Sequence, residues 1–331
     1  MDKNIPELMR ERNFKVIIQT IIQNGSLSSK KIADNTGLSV VSINKLIKIL
    51  TEKGIVTSSL QKVSTGGRRA IQYTINGNNF NLLTIRILEI DQKMVAKLEI
   101  INLNGDIISK NDLQVEIIHP EDLLESIKKM LQEQKVIPDL IIIGTSGVES
   151  TQKMILSDIP GLSEVNLEQY LFEHTNITAK VINDVNAMVL GISKNNQEDN
   201  IVGIYYPKNY APGVGLLTFG HLVLGKSGAA GEISLGLSYK NTHYPMKQDV
   251  FEKYLLNDLQ TIIALLDPNR IVVFAPERKI DKHKLSKDLH DRIHQISETT
   301  IDFDKNIDQT YRNGLINYGR EKIFEKIIKN I

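Results

Sequence analysis

A chain of 331 residues has length for two or three domains with real cores, and the absence of cysteine excludes disulfides, Cys-bound zinc and thiol chemistry. Charge is nearly balanced at +1 but unevenly placed: residues 1–80 carry 12 Lys/Arg against 5 Asp/Glu, a net of +7, and the remainder carries 28 against 34, a net of −6. A basic head on an acidic body directs nucleic-acid contact to the head. With no apolar run of ~18 residues and no apolar signal core at the start, a cytoplasmic protein with no membrane partner is expected.

Residues 13–24 place Phe14, Ile17, Ile18, Ile21 and Ile22 on one helical face. Two short helices follow with the same grammar. Ser28 can cap the first, with Leu27 and Ile32 at the staple positions; after the turn at Thr36-Gly37, Ser39 can cap the second, with Leu38 and Ile43 repeating the staple. Two short helices a tight turn apart form a helix-turn-helix. Along the second, Ile43, Leu46, Ile47 and Leu50 make an inward stripe that stops at Gly54. Ser39, Val41, Ser42, Asn44, Lys45 and Lys48 are left outward, as groups able to touch base edges and phosphates in a major groove. Strand-like runs over 55–63 and 70–75 flank Ser64-Thr65-Gly66-Gly67-Arg68-Arg69 and read as a wing. Gly67 allows close backbone approach, and Arg68 with Arg69 suits a narrow, negative minor groove. Residues 1–77 are therefore expected to be a winged helix-turn-helix domain that binds a double-stranded DNA operator, ending at the turn-prone Asn76-Gly77-Asn78-Asn79.

Beyond that boundary, strands are expected over 82–90, 94–103 and 106–118, the last two joined across Asn104-Gly105. Next come a helix over 121–134, a strand over 139–144, a helix over 166–174, a strand over 180–182 and a helix over 187–193. The βββαβαβα order then repeats: strands over 201–206, 213–219 and 221–224, a helix over 247–266, a strand over 270–274, a helix over 285–296, a short strand near Ile301 and a closing helix over 307–328. Two copies of one order imply an α/β body of two similar lobes, 78–195 and 196–331, with a cleft between them.

Three stretches, Ile159-Pro160-Gly161-Leu162, the run from Val181 to Ala187 containing Asn183-Asp184 and Asn186, and the run from Leu224 to Ile233 containing Gly225 and Ala230-Gly231-Glu232, together with the wing, carry a family likeness. The chain resembles the ROK (repressor, open reading frame, kinase) family, in particular its xylose-repressor and N-acetylglucosamine-repressor type. The resemblance implies an actin-like, hexokinase-like double lobe, a ribonuclease H-like unit duplicated. It further implies that Asn183, Asp184 and Glu232 bind sugar hydroxyls, with Asp184 at the position of the kinases' general base. This sequence departs from the kinases at each phosphate contact. There is no glycine between Gly77 and Gly105, so the first hairpin turn, near 89–93, lacks one; the second site is reduced to Ala211-Pro212-Gly213-Val214-Gly215; the third reads Ala275-Pro276. Because glycine lets backbone amides close on a polyphosphate, no working ATP site is expected. Leu235 stands where the family has a histidine, and the family's Cys-rich zinc loop and second sugar-binding glutamate have no counterpart.

The expectation is a transcriptional regulator, a repressor of carbohydrate genes that senses a sugar or sugar phosphate in a degenerate kinase-like cleft and works as a homodimer or higher homo-oligomer. No catalytic residue, cofactor or metal site is expected; a lone His243 with no Cys nearby reads as a loop residue. The rivals are an active sugar kinase carrying a DNA-binding head and a ligand-independent dimeric DNA binder. Asp184 has a blander reading too, as the cap of the helix that follows it.

Overall fold

The structure, a computed structural model, describes residues 5–61, 70–111, 115–134, 136–150, 153–193, 200–236, 239–293 and 298–329. Gly67, Arg68 and Arg69 of the expected wing lie outside the described residues.

The head consists of α1 (Ile5–Asn24), α2 (Ser29–Thr36), α3 (Val40–Glu52), β1 (Val56–Gln61) and β2 (Ala70–Ile75). α1 starts earlier than the apolar pattern from residue 13 because its first turns, with Leu8 and Met9, are exposed and leave no periodic trace. Ser28 and Ser39 cap α2 and α3, accepting from the amides of Lys31 at 3.4 Å and Ser42 at 3.1 Å. Gly37 ends α2 at φ 71°, a left-handed conformation that costs other residues more. Phe14, Ile17, Ile18 and Ile21 pack against Ile32, Ile43, Ile47 and Leu50 in one buried cluster, where truncating an Ile or Leu to Ala typically costs ~2–5 kcal/mol. Leu27 and Tyr73 exchange backbone hydrogen bonds of 3.0 and 2.8 Å, which tie the wing hairpin to the segment between α1 and α2.

The linker is a fastened joint. Gly77–Asn79 forms one 3-10 turn; Leu103 donates its amide to the Gly77 carbonyl at 2.9 Å, Asn102 Nδ2 donates to Asn78 Oδ1 at 2.6 Å, and Asn79 Nδ2 donates to the Gly54 carbonyl at 3.3 Å.

The first lobe runs β3 (Asn81–Ile90), β4 (Lys93–Asn102), β5 (Ile107–Lys110), β6 (Val115–Glu116), α4 (Pro120–Glu133), β7 (Leu140–Thr145), β8 (Val148–Ser150), β9 (Lys153–Leu156), α5 (Leu167–Thr175), β10 (Ala179–Asn183) and α6 (Asp184–Ile192). The single strand expected over 106–118 is two short ones, both paired with β4, with residues 112–114 outside the described set. The β8–β9 hairpin had no counterpart in the sequence reading. The second lobe runs β11 (Asn200–Tyr205), β12 (Gly213–Thr218), β13 (His221–Leu222), α7 (Gln248–Leu266), β14 (Arg270–Phe274), α8 (Lys282–Arg292), β15 (Thr300–Asp304) and α9 (Ile307–Lys329).

Both main sheets have one strand order. In the first it is β5-β4-β3-β7-β10, and in the second β13-β12-β11-β14-β15: third, second, first, fourth, fifth. The first three strands of each are antiparallel and the last two join in parallel, so the duplication extends to register and direction. α4 and α5 cover one face of the first sheet, and α7 and α8 one face of the second. α6 lies between the sheets, packed on β11 and β12 as well as on α9.

The closing helix, expected within the second lobe at 196–331, packs on β3 and β7 of the first sheet. Its buried face, with Tyr311, Leu315, Ile316 and Ile323, shares one cluster with Leu82, Ile101 and Ile142 of that sheet and with Val272 and Phe274 of the second. Charge fixes it there. Arg86, almost fully buried on β3, donates from Nη1 to Glu99 Oε2 at 2.9 Å and from Nε to Asp308 Oδ1 at 3.2 Å, and Arg312 Nε reaches the same Glu99 oxygen at 2.8 Å. Burial alone would raise the Glu99 carboxyl, but the hydrogen bonds and charges of Arg86 and Arg312 hold it below its usual range. α6 and α9 cross backbone to backbone: a Cβ on Gly314 would stand 1.7 Å from the Ala187 carbonyl oxygen, and one on Gly191 2.0 Å from that of Thr310.

Candidate functional site

On the head, Ser39, Val41, Ser42, Asn44, Lys45 and Lys48 are all exposed on one side of α3. Three of them also hold the scaffold. Ser39 Oγ and Ser42 Oγ are 2.9 Å apart, and Asn44 Oδ1 accepts from Ser29 Oγ at 2.6 Å, which joins α3 to α2 and leaves the Asn44 amide N–H groups for a base edge. Val41 is 81% exposed, apolar surface of the kind that meets a thymine methyl. Lys48 is 4.0 Å from Glu52 across one helical turn, a weak exposed pair that a phosphate can replace.

In the body, a cavity of about 230 Å³ opens between the lobes where β3, β10, α6 and β12 converge. Asn183, Asp184, Glu232 and Leu235 all line it. Asn183, and not Asp184, caps α6: at φ −61°, ψ 144° its Oδ1 accepts from the Asn186 amide at 3.2 Å. Its Nδ2 donates to the Gly147 carbonyl at 3.0 Å, so half of its hydrogen-bonding capacity is committed to the scaffold. Asp184 is the first residue of α6 and its Oδ1 accepts from the Val185 amide at 2.7 Å. A helix N-terminus stabilises a carboxylate by ~0.3–1 kcal/mol. Burial, then the charges of Asp158 and Glu232, outweigh that effect and push Asp184 up to about 7.

Two further carboxylates belong to this cavity and were missed in the sequence. Asp158 precedes the Ile159-Pro160-Gly161-Leu162 run, and Glu89 sits at the end of β3. Burial raises both Asp158 and Glu232, with the Glu89 charge adding to the first and the Asp158 charge to the second. Glu89 also spans the lobes, accepting from the side-chain amide of Asn209 and, at 3.4 Å, from its backbone N–H. Four carboxylates thus face one space whose described lining contains no Lys, Arg or His. The only sequence signal for Asp158 was its place beside a Pro-Gly turn; Glu89 had none beyond the missing glycine nearby.

The positions of the expected phosphate contacts are occupied otherwise. The β3–β4 turn is two residues, Asp91 at φ 49° and Gln92 at φ 65°, and neither is the glycine that lets a backbone amide close on a phosphate. Gly215 admits α6: a Cβ there would be 2.8 Å from the Val185 carbonyl oxygen. The chain leaves β14 through Ala275-Pro276, which offers no backbone N–H at the proline. Tyr206, just after β11, and Tyr239, in the segment before α7, both donate to Asp258 of α7, which ties the two stretches to that helix.

Residues 15–57 match the profile of winged helix-turn-helix DNA-binding domains, and residues 94–242 match that of the ROK family. Among curated proteins, the chain is 24% identical over 243 residues to the DNA-binding transcriptional dual regulator NagC of Escherichia coli K12, covering 69% of this chain and 57% of that protein. It is 25% identical over 247 residues to the xylose repressor of Bacillus subtilis 168, covering 70% and 62%. The chain thus spans about three fifths of each. A crystal structure of a ROK family transcriptional regulator, homologue of the E. coli MLC protein, superposes with a TM-score of 0.69 at 18% identity over 96% of this chain and 99% of that one, a likeness of fold.

Proposed function

We propose that this chain, a winged helix-turn-helix carried on a ROK-family domain, is a sequence-specific DNA-binding repressor of carbohydrate genes whose interlobe cavity senses a neutral sugar and does not phosphorylate it. The observation that carries the reading is the cavity's charge: Glu89, Asp158, Asp184 and Glu232 surround it with no cation among the described lining residues. Carboxylates accept hydrogen bonds from sugar hydroxyls, whereas a sugar phosphate or a nucleotide would enter a field of its own sign. Of the two effectors expected from sequence, the neutral sugar is the one this lining favours. The want of glycine at the expected phosphate turns supports this reading over the kinase rival, as does similarity to a transcriptional dual regulator and to a protein named as a repressor.

The mechanism is a population shift. A sugar held by both Asp184 and Glu232 binds one lobe arrangement more tightly than another, and the seat of the head on α9 passes that arrangement to the spacing of two heads in a homodimer, in the cytoplasm where the operator lies. One observation favours a second reading, in which the body only dimerises: Glu89 and Asn209 bridge the lobes directly.

The test is calorimetry of neutral hexoses and pentoses, and of their phosphates, on the native chain and on Glu232→Ala. A buried hydroxyl left unpaired costs ~1–3 kcal/mol, so the variant should bind the best sugar roughly tenfold to a hundredfold more weakly while its operator affinity without sugar is unchanged. Equal affinity in both proteins would place the effector elsewhere, silence from every sugar would favour the second reading, and sugar-dependent ADP release from ATP would restore the kinase.

A further inference from the structure

A second space, apart from the interlobe cavity, lies at the seam between head and body. A pocket of about 300 Å³ is bounded by α1, the C-terminal half of α9, the end of α6 and the β12–β13 turn. Its size is at the small end of ligand sites, enough for a compact organic molecule and too little for a nucleotide. Ile18, Ile22, Leu190, Phe324 and Ile328 give it apolar walls.

Its charges are not all paired. Glu325 is satisfied by Lys15 at 3.3 Å and Lys322 at 3.1 Å, and Glu321 lies 3.7 Å from Lys322. Arg320 faces the same space with no carboxylate partner among the described residues. Its Nε donates to the Leu103 carbonyl at 2.5 Å and its Nη1 to Asn317 Oδ1 at 3.2 Å, both neutral acceptors, and Nη2 has no protein partner among the described residues. The lining itself, Lys15 and Arg320 against Glu321 and Glu325, is balanced in number, but Lys15 and, from outside the lining, Lys322 meet the two glutamates, which leaves Arg320, among the described residues, as the cation without a carboxylate. Burial draws the Arg320 guanidinium below its usual range, with no neighbouring charge in compensation. A part-buried guanidinium without a counter-anion is costly, and its planar fork matches a carboxylate.

We propose that this seam is a second small-molecule site, for a compact amphipathic carboxylate whose apolar body lies between α1 and α9 and whose single negative charge meets Arg320. Such a ligand is chemically opposite to one suited to the interlobe cavity: that lining is anionic, this one has a single unpaired cation above apolar walls. Because α1 leads into the helix-turn-helix and α9 belongs to the body, the ligand touches both sides of the joint, and any preference it has for one seating of α1 shifts the head's position.

The experiment titrates the full chain with 4-phenylbutyrate and benzoate by calorimetry, with 4-phenylbutyramide and benzylamine as neutral and cationic controls. One carboxylate per chain should bind, the amide and amine at least tenfold more weakly. Arg320→Gln should weaken 4-phenylbutyrate at least tenfold, Arg320→Lys should recover part of that loss, and Glu232→Ala, in the other cavity, should leave it within twofold. Should Arg320→Gln fail to fold, Ser193→Trp fills the pocket from the end of α6 and should abolish binding. Equal binding of the amide, unchanged affinity in Ser193→Trp, or no binding of either carboxylate up to millimolar concentration would overturn the proposal.

Discussion

Asp184 is held at a cost to the fold, and replacing it should show that cost as stability. Its carboxyl is pushed from an ordinary 3.8 to about 7 by burial, then by the Asp158 charge. At 1.36 kcal/mol per tenfold in proton affinity, the gap amounts to roughly 4 kcal/mol. The sign follows from proton counting. Between pH ~4 and ~7 the unfolded chain has lost this proton while the folded chain keeps it, so native stability falls as pH rises through that window and stays lowered above it. Asp184→Asn keeps an acceptor for the Val185 amide and removes the charge. Water in the cavity screens part of the effect, so the variant should be more stable than the native chain by ~2–3 kcal/mol at pH 8 and by ~1 kcal/mol at pH 5. With no tryptophan in the sequence, unfolding in urea is followed by circular dichroism at both pH values. An advantage that does not change with pH, or a variant less stable at pH 8, would refute the reasoning that burial and Asp158 dominate at Asp184.

Other perturbations test other parts. Gly314→Ala drives a methyl into the Ala187 carbonyl and should lower stability by ~1–3 kcal/mol; melting like the native chain would mean that α6 and α9 do not cross backbone to backbone. Lys48→Ala should weaken DNA binding on all sequences and lower the salt slope by about one, whereas changing both Arg68 and Arg69 to Ala should cost most on A/T-rich flanks, and unaltered mobility shifts in both would sink the assignment of the head's contact face. Asn209→Ala removes the Glu89 bridge and should speed amide exchange at the lips of the cleft, around 205–213, with unchanged protection counting against a lobe latch.

The head was legible because its signals are local. Ser28, Ser39, Gly37 and the stripe from Ile43 to Leu50 act within a few residues, so the sequence shows them whatever the rest of the chain does. The repeated strand order was legible for a related reason, since alternation and turns mark each strand separately. What could not be read was which distant pieces meet. The pattern on α9 says that one face is buried but not against which lobe; Arg86 on β3, 222 positions from Asp308, decides that. Glu89 and Asp158 join Asp184 and Glu232 only once two sheets face each other. The choice between Asn183 and Asp184 as the cap turned on one residue of register, because a helix that begins at residue 184 makes the preceding asparagine its cap.

The glycine crossing makes α9 a lever with unequal arms. From Ile307 to Gly314 it extends ~10 Å, and from Gly314 to Lys329 ~22 Å, at ~1.5 Å per residue. The short arm carries Asp308, Tyr311 and Arg312; the Tyr311 hydroxyl lies within reach of the Asp184 charge, and Arg312 grips Glu99. The long arm carries Phe324, Glu325 and Ile328 against α1. With its fulcrum one third of the way along, a shift of ~0.5 Å at the cavity end becomes ~1 Å beneath the head, and a tilt of ~3° suffices for it. On the mechanism proposed above, gain depends on where the two helices touch, so moving the crossing by one turn toward either end would change the coupling of cavity to head without altering a single residue in either site.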